Sequence, residues 1–399
     1  MPLSEPGGER RGIPRYMNAM IYADHNATAP LRAEAREAML AALEAGANPS
    51  SVHGPGRAAR RVVERARGQV GAAIGSRAED VTFTSGGTEA NALALHGAVA
   101  ALGGEATLLV SALEHDAVTQ NAGICGVPVE TVYAVSDGRM SLESLEDRLA
   151  AWDHAKKGTP ILALMLANNE TGVIQPVAEA AARLREAGGL IHCDGVQGLG
   201  KMAISIAMLG VDYLALSAHK AGGPQGVGAL WHRPGAPLKP VLRGGGQERS
   251  LRSGTENVAG IAGFGAAAQA SAGDLANYQA LGTHRDGMEA RLKQEAGITV
   301  MGEGAPRLGG TSCFAIEGFR AETQVMAMDL EGVAVSSGAA CSSGKVKRSR
   351  VLGAMGVCDT LAECAIRTSF GWTTRAEDFD ATAEAWLKAA RRTILKESA

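Results

Sequence analysis

The chain has 399 residues, of which 46% are hydrophobic, and 39 basic against 42 acidic side chains leave a net charge of -3. Such a chain buries a sizeable core, read as one large domain with a smaller one, and is not disordered. So balanced a charge carries no footprint for nucleic acid or an acidic membrane surface, which leaves a small molecule or another protein as the expected partner.

In chain order, residues 1–16 are rich in Gly, Pro and charge, and a compact hydrophobic pattern begins near Met20. Residues 1–19 therefore read as a flexible N-terminal extension, with Met17 as an alternative start. They contain no hydrophobic signal-peptide core, and no apolar run approaches the roughly 20 residues of a membrane span, so a cytoplasmic protein is expected.

Short β-rich runs follow: Val81-Thr-Phe-Thr84, Thr107-Leu-Leu-Val110, Ile161-Leu-Ala-Leu-Met-Leu166, Leu190-Ile-His-Cys193 and Tyr213-Leu-Ala-Leu-Ser217. Several are apolar on both faces, as buried parallel strands are, and segments between them have helical spacing, most clearly Val177 to Ala187. An α/β chain with a mainly parallel sheet is expected. After a long helical stretch from about Asn257, the pattern turns to a strand at Thr311–Ile316, a helix from about Ala321, a strand at Val333–Val335 and a final helix from about Ala376. That reads as a smaller α+β domain. The expected division is residues 30–275 for the large domain, and 20–29 with 276–399 for the small one.

Six cysteines (Cys125, Cys193, Cys313, Cys341, Cys358, Cys364) lack C-x-x-C spacing and read as reduced thiols rather than as a disulfide framework or a zinc site. Lys220, in Ala215-Leu-Ser-Ala-His-Lys-Ala-Gly-Gly-Pro224, follows a buried-looking strand 26 residues after Asp194. The pair suggests an imine-forming lysine beside a carboxylate able to hold a pyridinium nitrogen, although either alone is an ordinary strand-end residue. Thr82-Phe-Thr-Ser-Gly-Gly-Thr-Glu-Ala90 runs from a strand into a helix, so the amides of Gly87 and Thr88 form an anion site at the helix N-terminus; alone, the motif is equally a plain turn capped by Thr88. Ser217 and His219 are further donors for a phosphate.

With these motifs in this order, and with Ser336-Ser-Gly-Ala-Ala-Cys-Ser-Ser-Gly344, the chain resembles the cysteine desulfurases of the NifS/IscS group. These belong to the class V aminotransferase superfamily of pyridoxal phosphate (PLP) enzymes, fold type I. The resemblance implies a large domain with a mainly parallel seven-stranded sheet, and a small domain carrying the Cys341 loop. It implies that Lys220 binds the cofactor covalently, Asp194 pairs with its ring nitrogen, Gln197 bonds its phenolic oxygen and His115 stacks on the ring as a candidate acid or base. Asn169 lies near substrate and cofactor, Arg367 grips the substrate carboxylate through its planar fork, and Thr255 reaches the phosphate of the partner subunit, which requires a homodimer.

Cys341, among small residues on a freely moving loop, is the implied sulfur acceptor. The nearby Lys345, Lys347, Arg348 and Arg350 favour its thiolate, dock an acidic partner, or simply form a solvated basic helix start. The other five cysteines are assigned to packing. The implied reaction takes L-cysteine to L-alanine and a Cys341 persulfide, which passes to an iron-sulfur scaffold protein or another sulfur acceptor. Alternatives are a selenocysteine lyase or cysteine sulfinate desulfinase, an aminotransferase, and a non-catalytic docking partner. Departures from the common pattern are Ala218 before the His-Lys pair, Ala92 where the helix after the phosphate loop often has Asn, Gly222-Gly223 in place of a bulkier residue and Gly, and Lys347-Arg-Ser-Arg-Val351 in place of a Pro-Ser-His wording.

Overall fold

The computed structural model describes residues 20–337 and 348–394; the expected extension 1–19 and the segment carrying Cys341 lie outside them. After β1 (Ile21–Tyr22), seven strands form one sheet: β2 (Val81–Thr84), β3 (Ala106–Ser111), β4 (Val129–Val132), β5 (Thr159–Ala163), β6 (Leu190–Asp194), β7 (Tyr213–Ser217) and β8 (Gly228–His232). Their order is β2-β8-β7-β6-β5-β3-β4, and every pair is parallel except those made by β8. A second sheet, in the order β12-β13-β10-β9, combines β9 (Thr299–Val300), β10 (Thr311–Ala315), β12 (Ser336–Ser337) and β13 (Ile366–Ser369). β11 (Val333–Ala334) pairs with β1 at the other end of the described chain.

Alternation along the central strands sends side chains to two separate cores. Leu214 and Leu216 of β7 join Leu162 of β5 in one, under the helices Gly54–Ala73, Val177–Glu186 and Val258–Gly273. Tyr213 and Ala215 join Ile161 and Ala163 in the other, against the helices Gly87–Ala101 and Asp116–Gly123. Burial on both faces is why these strands read as continuous apolar runs. A further core around Phe314, Phe319, Phe370 and Trp386 unites the second sheet with the final helix Ala376–Ile394.

The expected strand at Ile161–Leu166 stops at Ala163 in the sheet. Leu164 and Leu166 still donate to β6, but the amide between them, Met165 N, turns away from β3 to the Glu114 carboxyl oxygen Oε1 at 2.6 Å. A side chain thus replaces a strand edge and frees the next residues to line a site.

Helix Gly54–Ala73 starts with Pro55 in its first turn and His53 as a cap that accepts from Gly56 N, then buries Ala59, Val63, Ala66 and Val70 at helical spacing. Arg67 lies on the same buried face. Its guanidinium donates to both oxygens of the equally buried Glu248, at 2.6 and 2.9 Å, and Glu248 also accepts from Phe83 N at 2.8 Å. The pair holds Glu248, Arg249 and Ser250 in three successive left-handed conformations, which cost strain in residues with a side chain. Truncating Glu248→Ala leaves the buried guanidinium only the partly exposed Glu64, at 3.2 Å, as a counter-charge, and the expected loss of stability is about 3 kcal/mol; a shift in the urea midpoint corresponding to less than about 1 kcal/mol would show the pair to be dispensable.

Candidate active site

A cavity of about 690 Å³ is lined by residues that follow the carboxyl ends of β2, β3, β5, β6 and β7, the edge where open α/β sheets bind ligands. At one end lie Gly87 and Thr88, in the first turn of the 15-residue helix Gly87–Ala101, together with Ser217 and His219. The cap is Gly86 and uses no side chain, so Thr88 is not the cap but a helical residue whose amide and hydroxyl remain for an anion. A Cβ on Gly87 would come within 2.6 Å of Val196 Cγ2, so only glycine lets the backbone approach the cavity here. Burial, and then the Lys220 and Lys201 charges, lower His219 to about 4; it is neutral at physiological pH, with Nδ1 3.1 Å from the Thr28 hydroxyl.

Asp194, at the tip of β6, is buried and carries one carboxylate oxygen to each of two neutral amides. Oδ1 accepts from Val196 N at 3.0 Å and Oδ2 from Asn91 Nδ2 at 2.8 Å. Asn91 stands one turn beyond the anion site on the same helix, and its Oδ1 accepts from His192 Nε2 at 2.8 Å. Since the amide nitrogen must face the carboxylate, the imidazole proton must sit on Nε2. Burial lowers His192 to about 3, in keeping with a neutral ring. The amide that meets the carboxylate thus comes from Asn91, next to the departing Ala92. Burial pushes the Asp194 carboxyl up, while Val196 N, Asn91, His115 and Lys220 draw it back toward its ionised form. A cation in the cavity would complete that effect.

Lys220 Nζ donates to the main-chain carbonyls of Asn26 and Ala27 at 2.6 and 2.7 Å. Burial and the Arg367 charge lower it to about 8, against the pull of Asp24 and Asp194. Asn26 is the hub of this wall. Its amide nitrogen donates to Asn169 O and Thr311 Oγ1, its Oδ1 accepts from Lys201, and its carbonyl accepts from Gln197 as well as Lys220. Asn26 and Lys201 escape a reading of residues alone, because their roles exist only once distant segments meet.

Arg367, on β13, pairs with Asp24 at 2.6 Å and donates to Asn169 O at 3.1 Å, while its buried Nε has no partner among the described residues. Asn169 faces the same cavity, and the next residue, Glu170, accepts from the Ser349 hydroxyl at 2.5 Å. Ser349 caps the helix Arg350–Ala354, so the Asn169 turn is tied to the chain beyond Cys341. His115 lines the cavity and also caps the helix Asp116–Gly123, its Nδ1 accepting from Ala117 N at 3.0 Å. Beside it, burial and then the Asp194 charge push Glu114 up to about 8, so this carboxyl is protonated at neutral pH.

Cys341 lies outside the described residues, and Thr255 is exposed on a different surface, lining a smaller cavity with Glu248, Arg252 and Phe83. Of the basic cluster, Arg348 pairs with Asp359, and Arg350 turns to the His115 segment, donating to Glu114 O at 2.8 Å and pairing with Asp116 at 3.1 Å. These two arginines are engaged rather than simply solvated. The assignment of five cysteines to packing fails for Cys358, which is exposed at the cap of the helix Asp359–Ala362; Cys125 is half-buried, and Cys193, Cys313 and Cys364 are buried. The small-residue departures fit one another. Ala218 is fully buried, a Cβ on Gly223 would stand 2.9 Å from its Cβ, and one on Gly222, at φ +86°, would strike Arg32 at 2.7 Å.

Comparisons with known proteins agree with this geometry. The model of the Aminotransferase class-V family matches residues 21–382. The chain is 42% identical over 368 residues to a cysteine desulfurase of Cereibacter sphaeroides, covering 90% of this chain and 92% of that protein. It is 36% identical to the cysteine desulfurase IscS of Dictyoglomus turgidum, with 92% and 93% covered. Among solved structures, a NifS-like protein from Rickettsia africae superposes with a TM-score of 0.83 at 32% identity, over 93% of this chain and 99% of that one. By sequence and by fold, the chain belongs to the class-V aminotransferase family, among its NifS/IscS-type cysteine desulfurases.

Proposed function

We propose that the cavity binds pyridoxal 5'-phosphate on Lys220, and that the protein moves the sulfur of L-cysteine to Cys341, leaving L-alanine. The observation that carries this reading is the meeting, in one cavity, of a helix N-terminus, a buried carboxylate, a lysine of lowered basicity and an arginine fork. The residues fit the cofactor. Gly87, Thr88, Ser217 and His219 suit its phosphate, Lys220 its aldehyde, Gln197 its phenolic oxygen and His115 its ring face. The Asp194 carboxylate, bonded only to neutral amides, suits a protonated ring nitrogen. When bound, the ring accepts the electrons released as the substrate Cα loses its proton.

The chain's own groups do the rest. Arg367 is held in place by Asp24 and Asn169 O, and its guanidinium fork, which lines the cavity, is the group left for the substrate carboxylate. Lys220, once displaced by the substrate amine, takes the Cα proton. The Cys341 thiolate then takes the substrate sulfur: the C–S bond breaks, an S–S bond forms, and the carbon skeleton leaves as alanine, with no external oxidant. Ser336 and Ser337 line the cavity, and the four residues that follow, 338–341, span at most about 14 Å when extended, within reach of a bound substrate. A solved relative, SspA, is described in complex with cysteine, which supports L-cysteine as the substrate; its TM-score is 0.75 at 27% identity, over 88% of this chain and 98% of that one.

The exposed Thr255 loop, away from its own cavity, supports a homodimer in which it serves the partner's phosphate. An iron-sulfur scaffold or another sulfur carrier would receive the persulfide. The separate cores and the β1–β11 pairing support a large domain of residues 30–275 and a small one of 20–29 with 276–399. Among the described residues, no helix is long and apolar enough to cross a membrane.

Two measurements test the reading. Incubated with L-cysteine and a thiol reductant, the holoenzyme is expected to form alanine and sulfide in equal, catalytic amounts, and Cys341→Ala to bind cofactor and cysteine yet lose at least about a hundredfold in sulfur transfer. Undiminished persulfide formation in that variant excludes Cys341. The second concerns pH. With its pKa lowered to about 8, Lys220 loses its proton earlier than an ordinary lysine, so uptake of pyridoxal phosphate by the apoprotein should speed up as pH rises through about 8 rather than about 10.4. A midpoint above about 9.5 overturns this account of the lysine.

A further inference from the structure

Behind Lys220 the wall contains a second lysine that the reaction does not consume. Lys201 is 5% exposed, and its amine donates to Gln197 Oε1 at 2.5 Å and to Asn26 Oδ1 at 2.7 Å. Both acceptors are neutral amides. The carboxylate that pulls its charge up, Asp24, is already paired with Arg367, while Lys220 and Arg367 push it down. His25 and His219 also feel its field, and burial keeps each of them neutral. Among the described residues an amine so placed has no carboxylate paired with it, which makes burying it as a cation costly. Burial, before those two neighbouring charges, draws its pKa well below the ordinary lysine value. A neutral amine has two N–H donors, the number of bonds it makes here.

Those two bonds decide how two amides face. With Oε1 taken by Lys201, the Gln197 amide must turn its nitrogen the other way. One N–H goes to Asn26 O at 3.0 Å, which leaves the second for the cavity that Gln197 lines. With Oδ1 taken as well, the Asn26 amide nitrogen is directed to Asn169 O and Thr311 Oγ1, and the residue is fixed with its main-chain carbonyl toward Lys220. Without Lys201, the single N–H bond to Asn26 O would be all that holds the Gln197 amide in this orientation.

We propose that Lys201 is a positioning residue for the reaction: it locks the Gln197 amide so that an N–H faces the cofactor's phenolic oxygen, and it steadies Asn26 beneath Lys220. The proposal rests on the reading of the cavity as a pyridoxal phosphate site. A donor on the phenolic oxygen stabilises its negative charge, so the nitrogen that joins Lys220 to the cofactor gives up the proton it shares with that oxygen at lower pH. Withdrawing the donor raises the pH at which the visible absorption changes.

The test uses holoenzyme variants loaded with pyridoxal phosphate. Lys201→Met keeps an unbranched chain, one atom shorter, but removes both donors. The expected result is a rise of about one unit in the pH midpoint of the visible band. A fall in kcat of at least about tenfold, with KM moved less than about threefold, should accompany it. Because Lys201 acts through Gln197, the double variant Lys201→Met/Gln197→Ala should have the midpoint of Gln197→Ala alone. A Lys201→Met midpoint equal to wild type, or midpoint shifts that add in the double variant, overturns the proposal. If Lys201→Met does not fold, Lys201→Gln, with an NH2 group one atom shorter, is measured in its place: a wild-type midpoint there supports the donor role, and the midpoint of Gln197→Ala overturns it. Wild-type protein that takes up no pyridoxal phosphate, by contrast, overturns the reading of the site itself.

Discussion

A buried carboxylate bonded only to neutral amides is the constraint around which this molecule is arranged. Asp194 stands at the end of a strand with three parallel neighbours on one side, where its main chain is fixed by ladder bonds and its side chain cannot retreat to water. The cost of that burial is offset by Val196 N, by Asn91 and by the positive charges across the cavity. Asn91 can do this only because the helix that carries it begins at Gly87, and the helix can begin there only because glycine admits Val196. One helix therefore fixes both ends of the cavity, the anion site at its first turn and the carboxylate one turn deeper. The distance between the two ends is set by helix geometry rather than by loops.

Much of the fold was legible because burial on both faces writes itself into sequence as apolar runs. β2 and β7 have the expected bounds, β3 is a residue longer at each end, β6 is a residue longer at its end, and the helix at 177 starts where its spacing begins. The strands that escaped notice lack that signature for physical reasons. β4 is an edge strand and largely exposed, β8 opens on a glycine pressed against Gly86, and β13 reads Ile-Arg-Thr-Ser, polar side chains that are all buried, with Arg367 bonded to Asp24 and Asn169 O and Ser369 to Asn26 N.

The site divides in the same way. Lys220, Asp194, Gly87 and Thr88 announce themselves through residue type and position after a strand. His115, Asn169, Gln197 and Arg367 rest on resemblance, and the structure brings them to the same cavity. Asn26, Asn91 and Lys201 carry no local signal, since each acts by holding another side chain contributed from far along the chain. Arg350 stands where the expected wording differs, and that difference is a contact: it reaches the main chain next to His115.

The thiols were read as one reactive residue among five buried ones, and Cys358 breaks that pattern. It sits exposed ahead of a short helix, where the Thr360 hydroxyl and then Leu361 N lower its pKa. A thiolate-seeking alkylating reagent thus meets a second acceptor whose accessibility does not depend on substrate or cofactor. The stoichiometry of labelling on the native protein counts more than the sulfur-carrying position, and peptide-level assignment, or a Cys358→Ser background, becomes the proper reference for following sulfur through this chain.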